Sequence, residues 1–329
     1  MKTEDQSAAL DAALAALERG ECIGLPTETV YGLAADALNR QAVQRIFALK
    51  GRPADHPVIV HLPDAGALTR YAREVPPAAL RLANAFWPGP LTLILKRHPQ
   101  VPDEITGGQD TVGIRVPAHP LAQPLLQRFG RGLAAPSANR FGRISPTTAA
   151  HVRAEFGDQV PVVLDGGPCA IGIESTIVDL SGSAPRVLRP GMISTEQVAE
   201  ALAALGTPVI GPGAGMSGSG DIRAPGLLEK HYAPRTPMQL MQRAQFGPPS
   251  AHRCVLAIGQ LPDGYIGLAL PAEPAGYAHE LYAALRQLDE SGCSQILAEL
   301  PPHGPEWQAI HDRLSRAAAG SSSSAPVRA

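Results

Sequence analysis

The sequence is poor in residues that mark several common protein classes. Only four cysteines occur in 329 residues, and they stand far apart with no CxxC pair. That spacing argues against a disulfide framework or a zinc-finger site. Aromatic residues make up 4% of the chain, which leaves few rings for stacking on nucleic-acid bases.

An excess of charge and long apolar runs are also missing. The formal net charge is −2, so no chain-wide positive field attracts a phosphate backbone, and we expect at most weak binding of tRNA. No run reaches the ~18 apolar residues of a membrane span. Residues Met1–Asp5 are acidic and lack the apolar core of a signal peptide. We therefore expect a cytoplasmic protein without membrane association.

Two motifs of nucleotide and metal enzymes are absent. The sequence has no GxxxxGK[ST] loop, so any use of ATP has to proceed without a P-loop. Its ten histidines show no HExxH spacing, and we expect no metal held by protein side chains alone.

What the sequence does contain is an alternation of helical and strand patterns, which predicts an α/β fold with a mixed sheet. The predicted helices of the first 205 residues span 5–19, 41–50, 77–86, 120–129, 146–156 and 195–204. The predicted strands span 22–25, 58–60, 91–96, 111–116, 132–135, 161–164, 175–180 and 186–189.

Composition divides the chain into four segments. Residues 1–205 predict one domain, and the Gly/Pro/Ser-rich residues 206–237 predict a linker or lid. Residues 238–318 predict a smaller α/β domain, and residues 319–329, with four consecutive serines, predict a disordered tail. The predicted elements of the smaller domain are strands at 254–258 and 296–300 and helices at 275–290 and 305–318.

Polar residues near strand ends are candidates for ligand contacts. Thr27, Glu28 and Thr29 follow the first strand and could hold a small polar ligand, or form a turn that bonds its own backbone. Lys50 and Arg52, separated by one glycine, could clamp a polyphosphate or complement a helix dipole.

Two further segments carry candidates. Arg115 lies in an apolar strand, where an unpaired guanidinium is costly to bury. It should meet an anion, either a neighbouring carboxylate or a substrate carboxylate. Ser137 and Asn139 follow a short apolar strand, in a ligand loop or a structural turn, and the polar residues of 172–179 lead into another strand.

Taken together, these segments resemble the YrdC/Sua5 family of threonylcarbamoyl-AMP synthases, in its long form with a C-terminal domain. The motifs that carry the resemblance are Pro26–Leu33, Lys50-x-Arg52, Val60-His61, Trp87–Thr92, Thr111–Pro117, Pro136–Asn139, Ser175-Thr176, Pro225-Gly226 and Lys230–Pro234. Each is weak alone, but their order and spacing are specific.

The resemblance implies a fold, an activity and partners. The fold is a twisted mixed sheet with flanking helices around a cationic cavity, with a smaller Rossmann-like C-terminal domain. The activity is that of a nucleotidyltransferase, which makes threonylcarbamoyl-AMP and pyrophosphate from L-threonine, bicarbonate and ATP. Mg²⁺ is expected to come with ATP. The step is the first in forming N6-threonylcarbamoyladenosine at position 37 of tRNA, and a separate transferase complex acts downstream.

The resemblance also implies roles for individual residues. The residues expected at threonine are Thr29, His61, Arg115, Ala135 and Ser175. The residues expected at ATP are Lys50, Arg52, His56, Thr111, Ser137, Asn139, Ser145, Arg189, Pro225 and Tyr232. Of these, Lys50 and Arg52 are expected to stabilise charge on the phosphates during the reaction.

Two other functions remain open at this stage. The same cationic concavity could belong to an RNA-binding or ribosome-maturation module. The same fold could also transfer a carbamoyl group from carbamoyl phosphate. Position 56 is His where the family more often has Asn, and no catalytic role is assigned to residues 238–318.

Overall fold

The computed structural model describes residues 3–213 and 222–321, and its larger sheet has eight strands. These strands are β1 (Ile23–Leu25), β2 (Gly32–Asp36), β3 (Ile59–His61), β4 (Leu91–Lys96), β5 (Thr111–Arg115), β6 (Leu133–Ala134), β7 (Thr176–Asp179) and β8 (Arg186–Arg189). Their order is β1-β2-β6-β3-β5-β4-β7-β8, with parallel pairs β3/β5 and β4/β7 and antiparallel pairs elsewhere.

Helices flank this sheet. They are α1 (Thr3–Glu18), α2 (Arg40–Lys50), α3 (Pro77–Phe86), α4 (Asp103–Thr106), α5 (Ala122–Phe129), α6 (Ala149–Phe156) and α7 (Thr195–Leu202).

The sequence on either side of α2, the helix that carries Lys50, determines where this helix begins and ends. Asn39 caps the start of α2 by accepting hydrogen bonds from the N–H groups of Gln41 and Ala42. Gly51 ends the helix in the left-handed conformation, at φ +62°.

The register of the central strands gathers polar side chains into one row. His61 on β3 and Thr92 on β4 both lie directly opposite Arg115 on β5. Ser175 immediately precedes β7, which pairs with β4 in the sheet. Strand pairing therefore places four residues from distant parts of the sequence at the same edge of the sheet.

The C-terminal unit (residues 238–321) is a parallel sheet with helices. Its strands are β9 (Met238–Met241), β10 (Arg253–Ile258), β11 (Ile266–Leu270) and β12 (Gln295–Glu299), in the order β11-β10-β12-β9. Its helices are α8 (Pro274–Glu290) and α9 (Gln308–Ser321). Every pair in the sheet is parallel, which agrees with the expected Rossmann-like arrangement.

The C-terminal unit packs directly on the larger one. Val30, Ile144 and Ile173 of the larger unit belong to the same buried apolar cluster as Tyr282 and Leu285 of α8. Arg286 of α8 also pairs with Glu155 of α6 at 3.0 Å. The linker (residues 206–237) contains no regular helix or strand in its described parts, 206–213 and 222–237.

Several elements lie where the sequence predicted them. α3, β4 and β8 have the predicted bounds, and the other predicted helices of the first 205 residues are present with ends shifted by up to three residues. The predicted strand 161–164 is wrong, because Val163 makes only an isolated bridge to Gly24. The strands β2, β9 and β11 were not predicted. α9 continues to Ser321, three residues into the expected tail, and residues 322–329 lie outside the described part.

No helix in the described ranges is long and apolar enough to cross a membrane.

Candidate active site

A small cavity lies at the edge of the sheet where the polar row ends, between the larger unit and the linker. Its volume is about 50 Å³. All five residues expected at threonine line it, and so do five of those expected at ATP. These ten residues are Thr29, His61, Arg115, Ala135, Ser175, Arg52, Ser137, Arg189, Pro225 and Tyr232.

Arg115 is the buried cation of the cavity, with 4% of its surface exposed. Its Nε donates to the Gly89 carbonyl (3.2 Å), and its Nη1 donates to the Thr29 hydroxyl (2.7 Å). Its Nη2 lies 2.6 Å from Oε1 of Glu28, but the two atoms are not aligned for a hydrogen bond. The guanidinium is thus held in place and keeps donor capacity for a further anion.

His61 is a neutral group beside this cation. Burial, and then the charge of Arg115, lower the pKa of His61 to about 3. Its Nδ1 is buried and accepts or donates no hydrogen bond among the described residues. Ala135 completes this side of the cavity, and its N–H donates to the Ile59 carbonyl. Its carbonyl is therefore its remaining backbone group for contact with a ligand.

Ser175 lies between two partners. Its hydroxyl is 2.8 Å from that of Thr92 and accepts from Nη2 of Arg189 at 3.1 Å. Arg189 also donates from Nε and Nη2 to the Ser175 carbonyl and from Nη1 to the Pro225 carbonyl. These contacts fix the strand end that carries Ser175 against the linker.

Arg52 and Arg189 add further positive charge to the lining of the cavity. Arg52 donates to the carbonyls of His56 and Pro57, and burial lowers its pKa to about 10. Among residues 3–213 and 222–321, no carboxylate forms an ion pair with Arg52 or Arg189. Cations that line a cavity without a carboxylate partner are suited to an anionic ligand such as a polyphosphate.

Five residues expected at ATP do not line the cavity. Lys50 is buried, and its Nζ donates to the carbonyls of Ser137 (2.5 Å) and Asn139 (2.6 Å), so it holds the 136–139 loop. Burial, and then Arg52, lower its pKa. Asn139 donates to the carbonyls of Arg140 and Arg143, and Ser145 donates to Glu174.

The remaining two of these five lie farther out. His56 packs edge-on against Phe141 at 5.3 Å. Thr111 begins β5, opposite Lys96, whereas Arg115 ends the same strand.

The linker closes the cavity. Pro225, Gly226, His231 and Tyr232 all line it, and Tyr232 is buried with a backbone φ of +60°. Gly226 adopts φ +81°, and a Cβ at this position would collide with the Tyr232 hydroxyl and with Nη1 of Arg189. Only glycine fits both the conformation and the space.

The described residues contain no group of three or more His, Cys, Asp or Glu side chains that could hold a metal ion. The carboxylate that lines the cavity, Glu174, is already engaged by Ser145, Tyr282 and Arg313. The cavity side chains therefore do not fit a metal site of their own.

Sequence reasoning missed the contribution of the C-terminal unit. Arg313 and Tyr282, from α9 and α8, both bond Glu174 at the cavity wall. One signal was readable for Arg313. It lies on the same helical face as Ile310, Leu314 and Ala317, and a cation on an otherwise apolar face requires a buried partner.

Two family models match consecutive parts of the chain. Residues 15–191 match the model of the Sua5, YciO and YrdC proteins, described as telomere recombination. Residues 193–319 match the model described as threonylcarbamoyl-AMP synthase, C-terminal domain.

Individual relatives are similar over nearly their whole length. Threonylcarbamoyl-AMP synthase of Pyrococcus abyssi is 38% identical over 317 residues, covering 92% of this chain and 91% of the relative. The protein of the same name from Bacillus subtilis is 37% identical, covering 97% and 95%. The crystal structure of P. abyssi Sua5 complexed with L-threonine superposes with a TM-score of 0.85 at 37% identity, covering 95% of this chain and 94% of that one.

Proposed function

The chain belongs to the YrdC/Sua5 family of threonylcarbamoyl-AMP synthases, and on that premise we propose that it makes threonylcarbamoyl-AMP and pyrophosphate from L-threonine, bicarbonate and ATP. The product supplies the threonylcarbamoyl group for N6-threonylcarbamoyladenosine at position 37 of tRNA. A transferase complex takes it over downstream, and the cytoplasm is the proposed location.

One observation carries the proposal: Arg115 shares a single cavity with Arg52 and Arg189. A substrate with a carboxylate at one end and a polyphosphate partner at the other needs cations at both ends. The hydrogen bonds of Arg115 to Thr29 and Gly89 set its guanidinium for bidentate contact with the threonine carboxylate.

The reaction requires the protein mainly to position its substrates. The threonine amine, held beside neutral His61, combines with carbon dioxide released from bicarbonate to give a carbamate. The proton lost by the amine and the hydroxide lost by bicarbonate form water. A carbamate oxygen then attacks the α-phosphorus of ATP, and the bond from that phosphorus to the pyrophosphate oxygen breaks. Arg52 and Arg189 are proposed to stabilise the charge on the phosphates, and no side-chain nucleophile is required.

The roles of Lys50, Asn139 and Ser145 are proposed to be indirect. Lys50 anchors the carbonyls of Ser137 and Asn139, and this keeps the small residues of the loop at the cavity wall. Its charge adds to the positive field at the phosphates. His56 and Thr111 would reach ATP only at the outer end of its binding site.

Mg²⁺ is proposed to enter with the triphosphate. Its ligands are then phosphate oxygens and water, which suits an ion that keeps part of its hydration shell. We also propose that residues 1–205 form the catalytic domain, 206–237 the lid and 238–318 a domain that supports both.

The test is pyrophosphate release by the purified full chain. We expect release only when ATP, threonine and bicarbonate are all present, together with a product of the mass of threonylcarbamoyl-AMP. Equal release without threonine would rule the function out.

Two additional measurements distinguish the alternative functions. Turnover of carbamoyl phosphate in place of bicarbonate and threonine would favour carbamoyl transfer. Binding of structured RNA with a steep salt dependence, and without nucleotide turnover, would favour an RNA-binding module.

A further inference from the structure

A buried ion pair connects the C-terminal unit to the cavity. Arg313 of α9 has a side chain with 0% exposure, and its Nε donates to Oε2 of Glu174 at 2.8 Å. Its Nη2 donates to the Glu174 carbonyl at 3.3 Å, and its Nη1 donates to Asp312 at 2.6 Å. Glu174 lines the cavity, so this contact joins the two units at the proposed site.

The Glu174 carboxylate receives two more hydrogen bonds. Tyr282 of α8 donates to Oε2 at 2.9 Å, and Ser145 donates to Oε1 at 2.6 Å. Burial alone would raise the pKa of Glu174, but Arg313, then Arg189, and the hydrogen bonds lower it to about 2. Glu174 is therefore an anion at neutral pH, and the C-terminal unit supplies its counterion and one of its donors.

Glu174 directly precedes Ser175 in the chain, so its position limits where Ser175 can lie. The Ser175 hydroxyl and carbonyl both bond Arg189, which is proposed to contact phosphate. A Glu174 carboxylate released from Arg313 would be a buried anion beside Arg189, and the two would pair. Arg313 therefore keeps Arg189 available for ATP.

The same two residues of the C-terminal unit also hold the linker. The guanidinium of Arg313 lies over the Tyr232 ring, 5.3 Å from its centre. The Tyr282 ring stacks on Tyr232 at 5.7 Å with an angle of 29° between the planes. Tyr232 is thus clamped between α8 and α9, and its hydroxyl has no hydrogen-bond partner among the described residues.

We propose that Arg313 and Tyr282 are positioning residues for the adenylation site, acting on Ser175 through Glu174 and on the lid through Tyr232. This inference rests on the proposed function. It gives the C-terminal unit a part in catalysis, because two of its side chains hold Glu174 and Tyr232, which line the cavity.

The first experiment measures threonine binding by calorimetry and steady-state kinetics for Arg313→Met, which keeps an unbranched side chain and removes the charge. We expect kcat/KM for threonine to fall about 10-fold or more, since loss of one partner leaves a buried charge unpaired. Arg313→Lys should recover part of the loss. Circular dichroism fixes a temperature at which each variant is folded.

Two further variants make the result decisive. Arg243→Met removes an arginine that pairs with Glu299 on the surface of the same unit, and it should match wild type. Tyr282→Phe keeps the stacked ring and removes one donor to Glu174. Tyr282→Phe should lower kcat/KM about 3-fold. This measurement tests the inference even if Arg313→Met does not fold.

The route through Glu174 is tested by a double-mutant cycle. Glu174→Gln combined with Arg313→Met should be no worse than Arg313→Met alone, because both changes remove the same contact. Multiplicative losses would overturn the route. Folded Arg313→Met and Tyr282→Phe proteins with wild-type kinetics and threonine affinity would overturn the inference. A wild-type protein without threonine-dependent turnover would instead overturn the proposed function.

Discussion

At the scale of single residues, the cavity depends on arginines that differ in what surrounds them. Arg115 is held by Thr29, Gly89 and Glu28, whereas Arg52 and Arg189 bond backbone carbonyls. The first arrangement fixes the direction of a guanidinium, and the second leaves positive charge unneutralised. The fixed guanidinium of Arg115 suits the threonine carboxylate. The unneutralised charge of Arg52 and Arg189 suits the phosphates of ATP.

Arg115→Lys should raise the KM for threonine about 100-fold, because an ammonium group cannot reproduce a bidentate contact with a carboxylate. Steady-state kinetics at saturating ATP measures this. The matched control is Arg131→Lys, at a half-buried arginine that pairs with Asp36 and Glu18 away from the cavity. Equal KM values for both variants would exclude Arg115 as the carboxylate ligand.

The buried histidines predict how stability depends on pH. Burial lowers the pKa of His61 and of His231 to about 3, from an ordinary 6.5. Between these values the unfolded chain binds protons that the folded chain does not, so the free energy of unfolding falls as the pH falls. The loss is about 1.4 kcal/mol per pH unit for each histidine.

Urea unfolding at pH 7.5, 6.0 and 5.0 measures this dependence. His61→Gln should reduce the slope of the unfolding free energy against pH by about 1.4 kcal/mol per pH unit, the contribution of one histidine. An unchanged slope in that variant would contradict the assignment of a depressed pKa to His61.

What the sequence revealed about a buried charge came from its apolar neighbours, because neither Arg115 nor Arg313 has a partner close to it in the chain. Arg115 was predicted to need an anion because its strand is apolar, and the structure supplies Glu28. Arg313 lies on the apolar face of α9 and meets the same condition, but it was overlooked, and its partner Glu174 is 139 residues away. Lys50 was expected at phosphate, but the carbonyls that hold its ammonium group lie in a loop whose path no spacing predicts.

At the scale of elements, one turn of the linker requires glycine at position 226. Gly226→Ala should displace Tyr232 or Arg189, since its Cβ has no space at φ +81°. We expect the KM for ATP to rise about 10-fold through disturbed contacts at Arg189. Nucleotide titrations followed by activity measure this.

The linker also contains the matched control. Gly213 has φ +77°, and nothing lies within 4 Å of the Cβ that an alanine would add. Gly213→Ala therefore imposes the same backbone strain without a collision. A similar rise of the KM in both variants would trace the effect to backbone strain rather than to the contact with Tyr232.

Prediction of elements depended on residue type rather than on length, since the four-residue β8 was predicted with its observed bounds and the five-residue β2 was missed. The ten residues of α3 carry a helical apolar face, and five of the six residues of β4 are buried. β2 has the sequence Gly-Leu-Ala-Ala-Asp, which no β-branched residue marks as a strand, and β11 is interrupted by Gly267. Residues 161–164 are apolar enough for a strand, but only Val163 finds a partner.

At the scale of the whole molecule, the two units share a buried apolar cluster and a buried ion pair. We expect them to unfold together in urea. The two tryptophans report on this separately, because Trp87 lies in the larger unit and Trp307 in the C-terminal unit. The fluorescence midpoints of Trp87→Phe and Trp307→Phe should each coincide with the midpoint of the same variant measured by circular dichroism.

A fluorescence midpoint well separated from that of circular dichroism would mean that one unit unfolds before the other. The shared cluster would then contribute little to stability.

The Glu174–Arg313 contact also constrains how proteins of this architecture can be shortened. A chain that ended after α7 would keep Glu174 and lose Arg313, and the buried carboxylate would then pair with Arg189 and occupy a cation proposed for phosphate. Natural homologues built from the larger unit alone should therefore carry an uncharged side chain at this position, or a basic residue brought in from another segment. A comparison of the residue at this alignment position between long and short homologues would test this expectation.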